Sequence, residues 1–138
     1  PVLMRKLVIG KQSTDVHTTS FTQAIVDLYL RKNLLLPHIE RICKSYKRQL
    51  DAMLDGFKYF PAGVTHTAPE GGLFVWAALP EGHSALSLFD RAVENNVAFV
   101  PGTHFYPEGG HENTFRLNFS NSPADVIETG MKRLGGLI

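Results

Sequence analysis

The chain lacks most of what a polypeptide needs to do chemistry alone. Its one cysteine, Cys43, cannot form an internal disulfide, so a reducing compartment suits it and a disulfide-stapled scaffold is excluded. The six histidines, at positions 17, 38, 66, 83, 104 and 111, never fall at a ligand spacing such as HxxxH, and one cysteine supplies no zinc grammar. His104 and His111 flank one loop, but the proline and glycines between them mark a turn, and no metal site is expected. Neither Gly-x-Ser-x-Gly nor a Cys–His pairing is present. Gly71-Gly72 and Gly109-Gly110 are isolated pairs, not GxGxxG or a P-loop. No apolar run reaches membrane-spanning length and the N-terminus has no signal-peptide layout, so the expected location is cytoplasmic, with no membrane partner. Neither charge sign dominates: 14 Lys+Arg stand against 13 Asp+Glu, net +1, with no basic stripe, so nucleic acid is not an expected partner.

What is there reads as globular. Hydrophobic residues at 43% and charged residues at 20% over 138 positions are enough for a sizeable core. The first residue is Pro1 rather than methionine, and the expectation is a processed chain or a piece of a longer one.

Pro1 to about Gly10 reads as the end of a helix, and Lys11 to Thr19 as a polar connector. Ser20-Phe21-Thr22-Gln23 has the form of a capping box, with Ser20 as the cap of a helix that gives out near Asn33. Pro37 starts the longest helix, whose apolar stripe runs Ile39, Ile42, Cys43, Tyr46, Leu50, Met53, Leu54 and Phe57. Cys43 on that stripe reads as a small core residue, not a nucleophile. From Gly56 the pattern changes to strands and turns. Val64–Ala68 is a short strand, and Leu73–Leu79 is apolar on both sides, as a central strand covered on both faces would be. A helix carries Leu86, Phe89, Ala92 and Val93, and Val97–Val100 is a strand closed by Pro101-Gly102. His104–Gly110 is a loop. Ser122-Pro123-Ala124-Asp125 caps a final helix that Gly135-Gly136 closes. Helices first, then strands interleaved with helices, predict an α+β fold: a small, mostly antiparallel sheet covered by helices.

Chemistry concentrates in Asn113-Thr114-Phe115-Arg116-Leu117-Asn118-Phe119-Ser120. Phe115, Leu117 and Phe119 alternate with Thr114, Arg116, Asn118 and Ser120, the period of a half-buried strand. An arginine fixed on a strand suits a planar carboxylate or phosphate held by two parallel hydrogen bonds. An edge-strand arginine in water, or one in a structural ion pair, fits the spacing as well, and on spacing alone those plainer readings are the stronger. No catalytic residue is identified. A chain able to bind an anion but lacking a reactive group reads as part of something larger.

The order of motifs adds a resemblance. Lys11-Gln12 and His17 through Ala24, then His38-Ile39, Tyr46 and Arg48, then Pro69 through Trp76 with Leu79-Pro80, then Val97 through Gly102, then Phe115 through Ser120 resemble the class I and II aminotransferases, the fold type I pyridoxal-phosphate enzymes. The match covers nearly the whole chain and looks most like the branch that includes 2-aminoadipate aminotransferases. The resemblance implies that residues 1–34 are the tail of a large domain with interdomain helices, and 35–138 the C-terminal small domain. It implies that Arg116 holds the substrate α-carboxylate and that Phe105 or Tyr106, on a loop near the substrate entrance, shapes specificity; the plainer reading of both is turn aromatics. Asn118 and Thr114 are candidate supports from the shared strand face alone, with no role that the family assigns. Thr18, Thr19 and Ser20 match a segment that approaches a cofactor site, across a dimer in the family. The implied cofactor is pyridoxal 5'-phosphate, the substrates are an amino acid and a 2-oxo acid, and the parent is a homodimer. The departures matter too. None of Lys6, Lys11, Lys32, Lys44, Lys47, Lys58 or Lys132 stands in the Ser-Lys context of the family's Schiff-base lysine. The expectation is therefore a fragment that is inactive alone. An aminotransferase-like effector domain behind a winged helix, or a carboxylate-binding module without chemistry, would show the same motifs. Which amino acid is the substrate is not legible, because side-chain pockets in such enzymes draw on the N-terminal part and the partner subunit.

Overall fold

The structure, a computed structural model, describes residues 2–138. The proline expected in the first helical turn lies outside the described residues. The chain divides into two compact units, Pro1–Ile42 and Cys43–Ile138.

The first unit holds helix α1 (Val2–Thr14), helix α2 (Ser20–Arg31) and the start of helix α3 (Leu35–Gly56). Helix α1 continues past Gly10 into the stretch that composition marked as connector. The reason is local: the Ser13 and Thr14 hydroxyls donate back to the carbonyls of Ile9 and Gly10, at 3.2 and 2.9 Å, instead of competing for the backbone. Lys11 adds an ion pair with Asp15 at 3.0 Å across the last turn. At α2 the cap falls one residue earlier than the capping-box pattern predicts. Thr19 is the N-cap residue and its carbonyl accepts from the Gln23 backbone amide at 3.1 Å. The Gln23 side chain donates to the Thr18 carbonyl at 2.6 Å, so Ser20 is the first helical residue and not the cap. Asn33, at φ 53°, takes the left-handed conformation that asparagine tolerates and ends the segment. Neither α1 nor α2 contains a buried residue.

Helix α3 opens at Leu35, which puts Pro37 in a first turn where its missing N–H costs nothing. Its apolar stripe is buried only in its second half. Leu50 and Met53 are core residues and Tyr46 and Leu54 pack against them, while Ile39 is 39% exposed and Cys43 is exposed. Cys43 is thus a surface thiol, not the core residue its stripe position indicated, because the packed core reaches α3 only from Tyr46 onward.

The second unit is built on a four-stranded antiparallel sheet in the order β1 (Thr65–His66), β2 (Phe74–Ala78), β4 (Thr114–Asn118), β3 (Val100–Pro101). The central pair, β2 with β4, runs from Phe74 opposite Asn118 to Ala78 opposite Thr114. Directly opposed residues share a face, so Val75 meets Leu117 and Ala77 meets Phe115 on the side that helices α4 (Ala85–Glu94) and α5 (Ala124–Gly135) cover. Leu88 and Ala92 of α4, Ile127, Met131 and Leu134 of α5, and Leu50 and Met53 of α3 complete one core with these strand residues. Each such side chain contributes roughly 1.5–3 kcal/mol by leaving water. Helix α4 is capped by Ser84, whose hydroxyl accepts from the Ser87 amide at 3.3 Å. The result is the small antiparallel α+β arrangement that the pattern predicted.

Three strands differ from expectation. β1 pairs only over Thr65–His66 of the expected Val64–Ala68. β2 is central in the sheet but covered on one face only, since Phe74 is 38% exposed and Trp76 and Ala78 are half-buried. Its second apolar face carries side chains that pack along the sheet rather than under a helix. β3 is confined to Val100–Pro101, because Pro101 has no N–H to extend a ladder. Phe99, just before it, turns into the core against Phe89 and Phe115, with ring centroids at 5.5 and 5.1 Å. At α5, Pro123 occupies the N-cap position, and the carbonyl of Ser122 accepts from Gln49 Nε2 at 2.9 Å.

The closing glycines of α5 serve space rather than a left-handed cap. Gly136 stays right-handed at φ −74°, whereas a Cβ on Gly135 would lie 2.4 Å from the carbonyl oxygen of Tyr59, in the 3-10 turn Phe57–Tyr59. Backbone cannot yield as a side-chain tip can. Gly135→Ala is expected to destabilise the chain by about 1–3 kcal/mol, as overpacking does, read as a lower urea midpoint with an unchanged slope.

Candidate functional site

Arg116 sits in the middle of β4, opposite Trp76 on β2 and Val100 on β3. Alternation sends Phe115 and Leu117 into the core, with 0% and 5% exposure, and therefore sends Arg116 to the face that the helices leave open. Strand pairing brings Phe74 and Trp76 to that same face. The loop after β3 brings Phe105 and Tyr106, because Gly102–Phe105 forms a 3-10 turn immediately after Pro101.

The guanidinium lies against two of these rings. Arg116 Cζ is 4.0 Å from the centroid of Phe74 and 4.9 Å from that of Phe105. Both distances fall within the range in which the ring quadrupole attracts a cation. Phe105 is in turn braced edge-on by Trp76 at 5.4 Å, Trp76 touches Tyr106 at 6.2 Å, and Tyr106 stacks on His111 at 4.1 Å. The charge itself has no counter-ion among the described residues. The ion pairs that form, Lys11–Asp15, Arg31–Asp27, Lys47–Asp51 and Lys58–Asp55, all join exposed neighbours in sequence. Among the described residues Arg116 Nε has no hydrogen-bond partner, and it is buried. A buried donor of a charged group left in this state costs roughly 1–3 kcal/mol or more. Of its donors only Nε is so enclosed, and the edge formed by the two Nη groups is the one an added acceptor can reach, matching the two oxygens of a carboxylate.

The other residues on this face have local tasks. Asn118 Oδ1 accepts from the amide of Ser120 at 2.7 Å and from its hydroxyl at 2.9 Å, which turns the chain at the end of β4. The Thr114 hydroxyl donates to the His111 carbonyl at 2.7 Å. The Tyr106 ring packs between those of Trp76 and His111. Thr18, Thr19 and Ser20 lie in the first unit, at the entry to α2. Thr18 lines a shallow groove with Thr22, Gln23, Val26, Asp27 and Leu30. Among the described residues no three of His, Cys, Asp and Glu converge as metal ligands would, and no helix is long and apolar enough to cross a membrane.

Sequence reasoning passed over Phe74 and Trp76. The signal was present, since both fall on alternate positions of β2, but an apolar run on both faces hides which face is which. Only the register of Phe74 with Asn118 reveals it.

A family model, aminotransferase class I and II, matches residues 7–134. The chain belongs to the class I and II aminotransferases. It is 45% identical, over its whole length, to aromatic-amino-acid aminotransferase 1 of Thermococcus litoralis, of which it covers 33%. It is 42% identical, over 98% of its length, to the 2-aminoadipate transaminase of Thermus thermophilus, of which it covers 34%. An uncharacterised HTH-type transcriptional regulator of Escherichia coli matches at 23% identity over 94% of the chain and 28% of that protein. Among solved structures, the α-aminoadipate aminotransferase of Thermus thermophilus, complexed with N-(5'-phosphopyridoxyl)-L-leucine, superposes on 99% of the chain. The TM-score is 0.91 at 41% identity, over 35% of that structure. A multiple-substrate aminotransferase from Thermococcus profundus does so over the whole chain, at TM-score 0.92 and 44% identity, covering 34% of that protein. The chain spans about a third of the length of the curated relatives it matches.

The seating of Phe105 depends on a close backbone approach. A Cβ on Gly102 would fall 1.9 Å from Thr114 Oγ1 and 2.7 Å from the Thr114 carbonyl oxygen. Gly102→Ala must therefore displace either the 3-10 turn or β4. The expected result is a stability loss of about 1–3 kcal/mol, with a red shift in the emission of Trp76, the single tryptophan of the chain, as Phe105 leaves it.

Proposed function

We propose that this chain is the carboxylate-holding part of a pyridoxal-phosphate-dependent aminotransferase that moves an amino group between an amino acid and a 2-oxo acid. Arg116 binds the α-carboxylate in this reading. The observation that carries it is the partnerless guanidinium on the open sheet face, with Nε buried and no counter-ion among the described residues. Family membership supplies the reaction class. Identity of 42–45% to aminotransferases, against 23% to the regulator, favours an enzyme over an effector domain.

The chain's own contribution is binding and orientation. A carboxylate on the edge formed by the two Nη groups fixes one end of the substrate, and the two rings keep water from the face of the guanidinium. Lower local polarity strengthens the pair relative to one in bulk water. Pyridoxal phosphate would serve as the electron sink for the carbon that carries the amino group, but the residues present do not build its covalent seat. All seven lysines are exposed, and Lys11, Lys47 and Lys58 are engaged with nearby aspartates. None offers the desolvated amine that a cofactor-bearing lysine requires. The groove beside Thr18 carries Asp27, Val26 and Leu30, which is no cradle for a phosphate. We infer that Thr18, Thr19 and Ser20 reach a cofactor only across a subunit boundary in a longer homodimeric parent, and that the 138-residue chain alone does not transaminate.

Two outcomes test this reading. In the full-length protein, Arg116→Ala is expected to raise KM for amino acids by the equivalent of about 2–5 kcal/mol, the cost of breaking one side of a desolvated charge pair. Arg116→Lys should not restore it, because an ammonium cannot present a planar fork. An unchanged KM in the alanine variant would sink the assignment. Separately, mixing the 138-residue chain with pyridoxal phosphate and borohydride should give only substoichiometric labelling scattered over surface lysines. One stoichiometric adduct at a single lysine would overturn the view that the covalent seat lies outside this chain.

A further inference from the structure

Arg116 is held in an unusual way for a residue that must present one edge accurately. Binding arginines are commonly aimed by the hydrogen bonds they donate to neighbouring carbonyls or carboxylates. Here Nε makes none and no acidic side chain is in range among the described residues. What touches the guanidinium is aromatic: Phe74 at 4.0 Å, from the strand on one flank of β4, and Phe105 at 4.9 Å, from the turn that follows the strand on the other flank. A ring attracts the guanidinium through its face and leaves the N–H edge unused. Stacking therefore restrains the plane without occupying the donors a carboxylate needs. A carbonyl partner would restrain the plane only by taking one of them.

We propose that Phe74 and Phe105 are positioning residues that set the plane of the Arg116 guanidinium, and that carboxylate affinity depends on their aromaticity rather than on their bulk. The inference rests on the reading of Arg116 as the carboxylate-binding residue. It goes beyond that reading by stating what aims the arginine and what a substitution must preserve. The two rings are not equivalent. Phe74 is seated in the β2–β4 ladder, so its position is fixed by strand register. Phe105 is 45% exposed and belongs to a short turn, and its seat depends on the edge-on contact with Trp76 and on the close approach of Gly102 to Thr114. Phe74 supplies the fixed wall and Phe105 the adjustable one.

The test uses the full-length protein and two small probes of one length, hexanoate and its neutral amide hexanamide, with binding followed by ligand-observed NMR titration. The readout is the preference for carboxylate over amide, which a general loss of packing does not selectively change. Phe74→Leu and Phe105→Leu keep apolar bulk and remove the π face. Each is expected to lower the preference by roughly 3- to 30-fold, the range that cation–π contacts span. Phe105→Tyr and Phe74→Tyr keep a face and should retain the preference to within about threefold. Thermal melts of all variants accompany the titrations. If a leucine variant melts so far below the parent that it is not folded at the assay temperature, the tyrosine pair and a Phe105→Met variant, which keeps volume without a ring, carry the comparison. Leucine and methionine variants that keep the full preference would overturn the proposal. Failure of the underlying reading looks different: wild type and Arg116→Ala would then show the same carboxylate preference, whatever the phenylalanines do.

Discussion

The five-residue antiparallel ladder between β2 and β4 is the constraint on which the rest of the second unit depends. It fixes which face each side chain takes, because a slip of one residue would exchange every inward and outward position. In the observed register Val75, Ala77, Phe115 and Leu117 fall together under α4 and α5, and Phe74, Trp76, Arg116 and Asn118 fall together on the other side. The penalty for slippage is therefore double. It would put a guanidinium into a closed hydrocarbon core and bring four core side chains into water. The same burial that stabilises the sheet holds Arg116 on the open face, so the stability of the fold and the orientation of the charge have one origin.

That origin explains how the chain tolerates a cation without a counter-ion. Full burial of an unpaired charge would cost far more than a domain's whole margin of stability. Arg116 avoids this by being half-buried, with its polar tip near solvent and its flat surface against aromatic carbon. Only Nε is left buried without a partner, a local debt of the kind that functional sites carry and surrounding packing outweighs. An internal glutamate on a neighbouring strand would have been the stabilising choice for a purely structural arginine. The described residues place none there.

Much of this was legible in the residues, and the gaps have physical causes. The alternation around Arg116, the amphipathic second half of α3 and the sheet class followed from residue period, which depends on near neighbours. Cys43 shows the limit of that reasoning. Helical spacing assigns a residue to a stripe but cannot say how far along the stripe a partner extends, and packing against the core begins only at Tyr46. Ser20 shows another. Thr18, Thr19 and Ser20 are all competent to cap, and the cap falls on Thr19, one residue before Ser20, with the Gln23 side chain on the Thr18 carbonyl. Phe74 and Trp76 were hidden for a third reason, since an apolar residue on an apolar strand carries no mark of which face it occupies until its partner strand is known.

The chemistry of Arg116 also limits what this chain can decide. On the proposed reading, the guanidinium recognises the α-carboxylate, a group that every amino acid and every 2-oxo acid possesses. Such a contact contributes the same energy to each substrate and cannot distinguish one from another. Discrimination needs groups that meet the variable side chain. An aromatic run from Phe105 through Trp76 to Tyr106 and His111 continues from the guanidinium. It is apolar, formed largely by the turn after β3, and partly exposed. A surface of that kind rewards bulk and flatness but discriminates by only about 1–3 kcal/mol per methylene-sized difference. Strong selectivity among substrates would have to come from polar groups outside this cluster, whereas the cluster itself suits a site that fixes one end of many substrates alike.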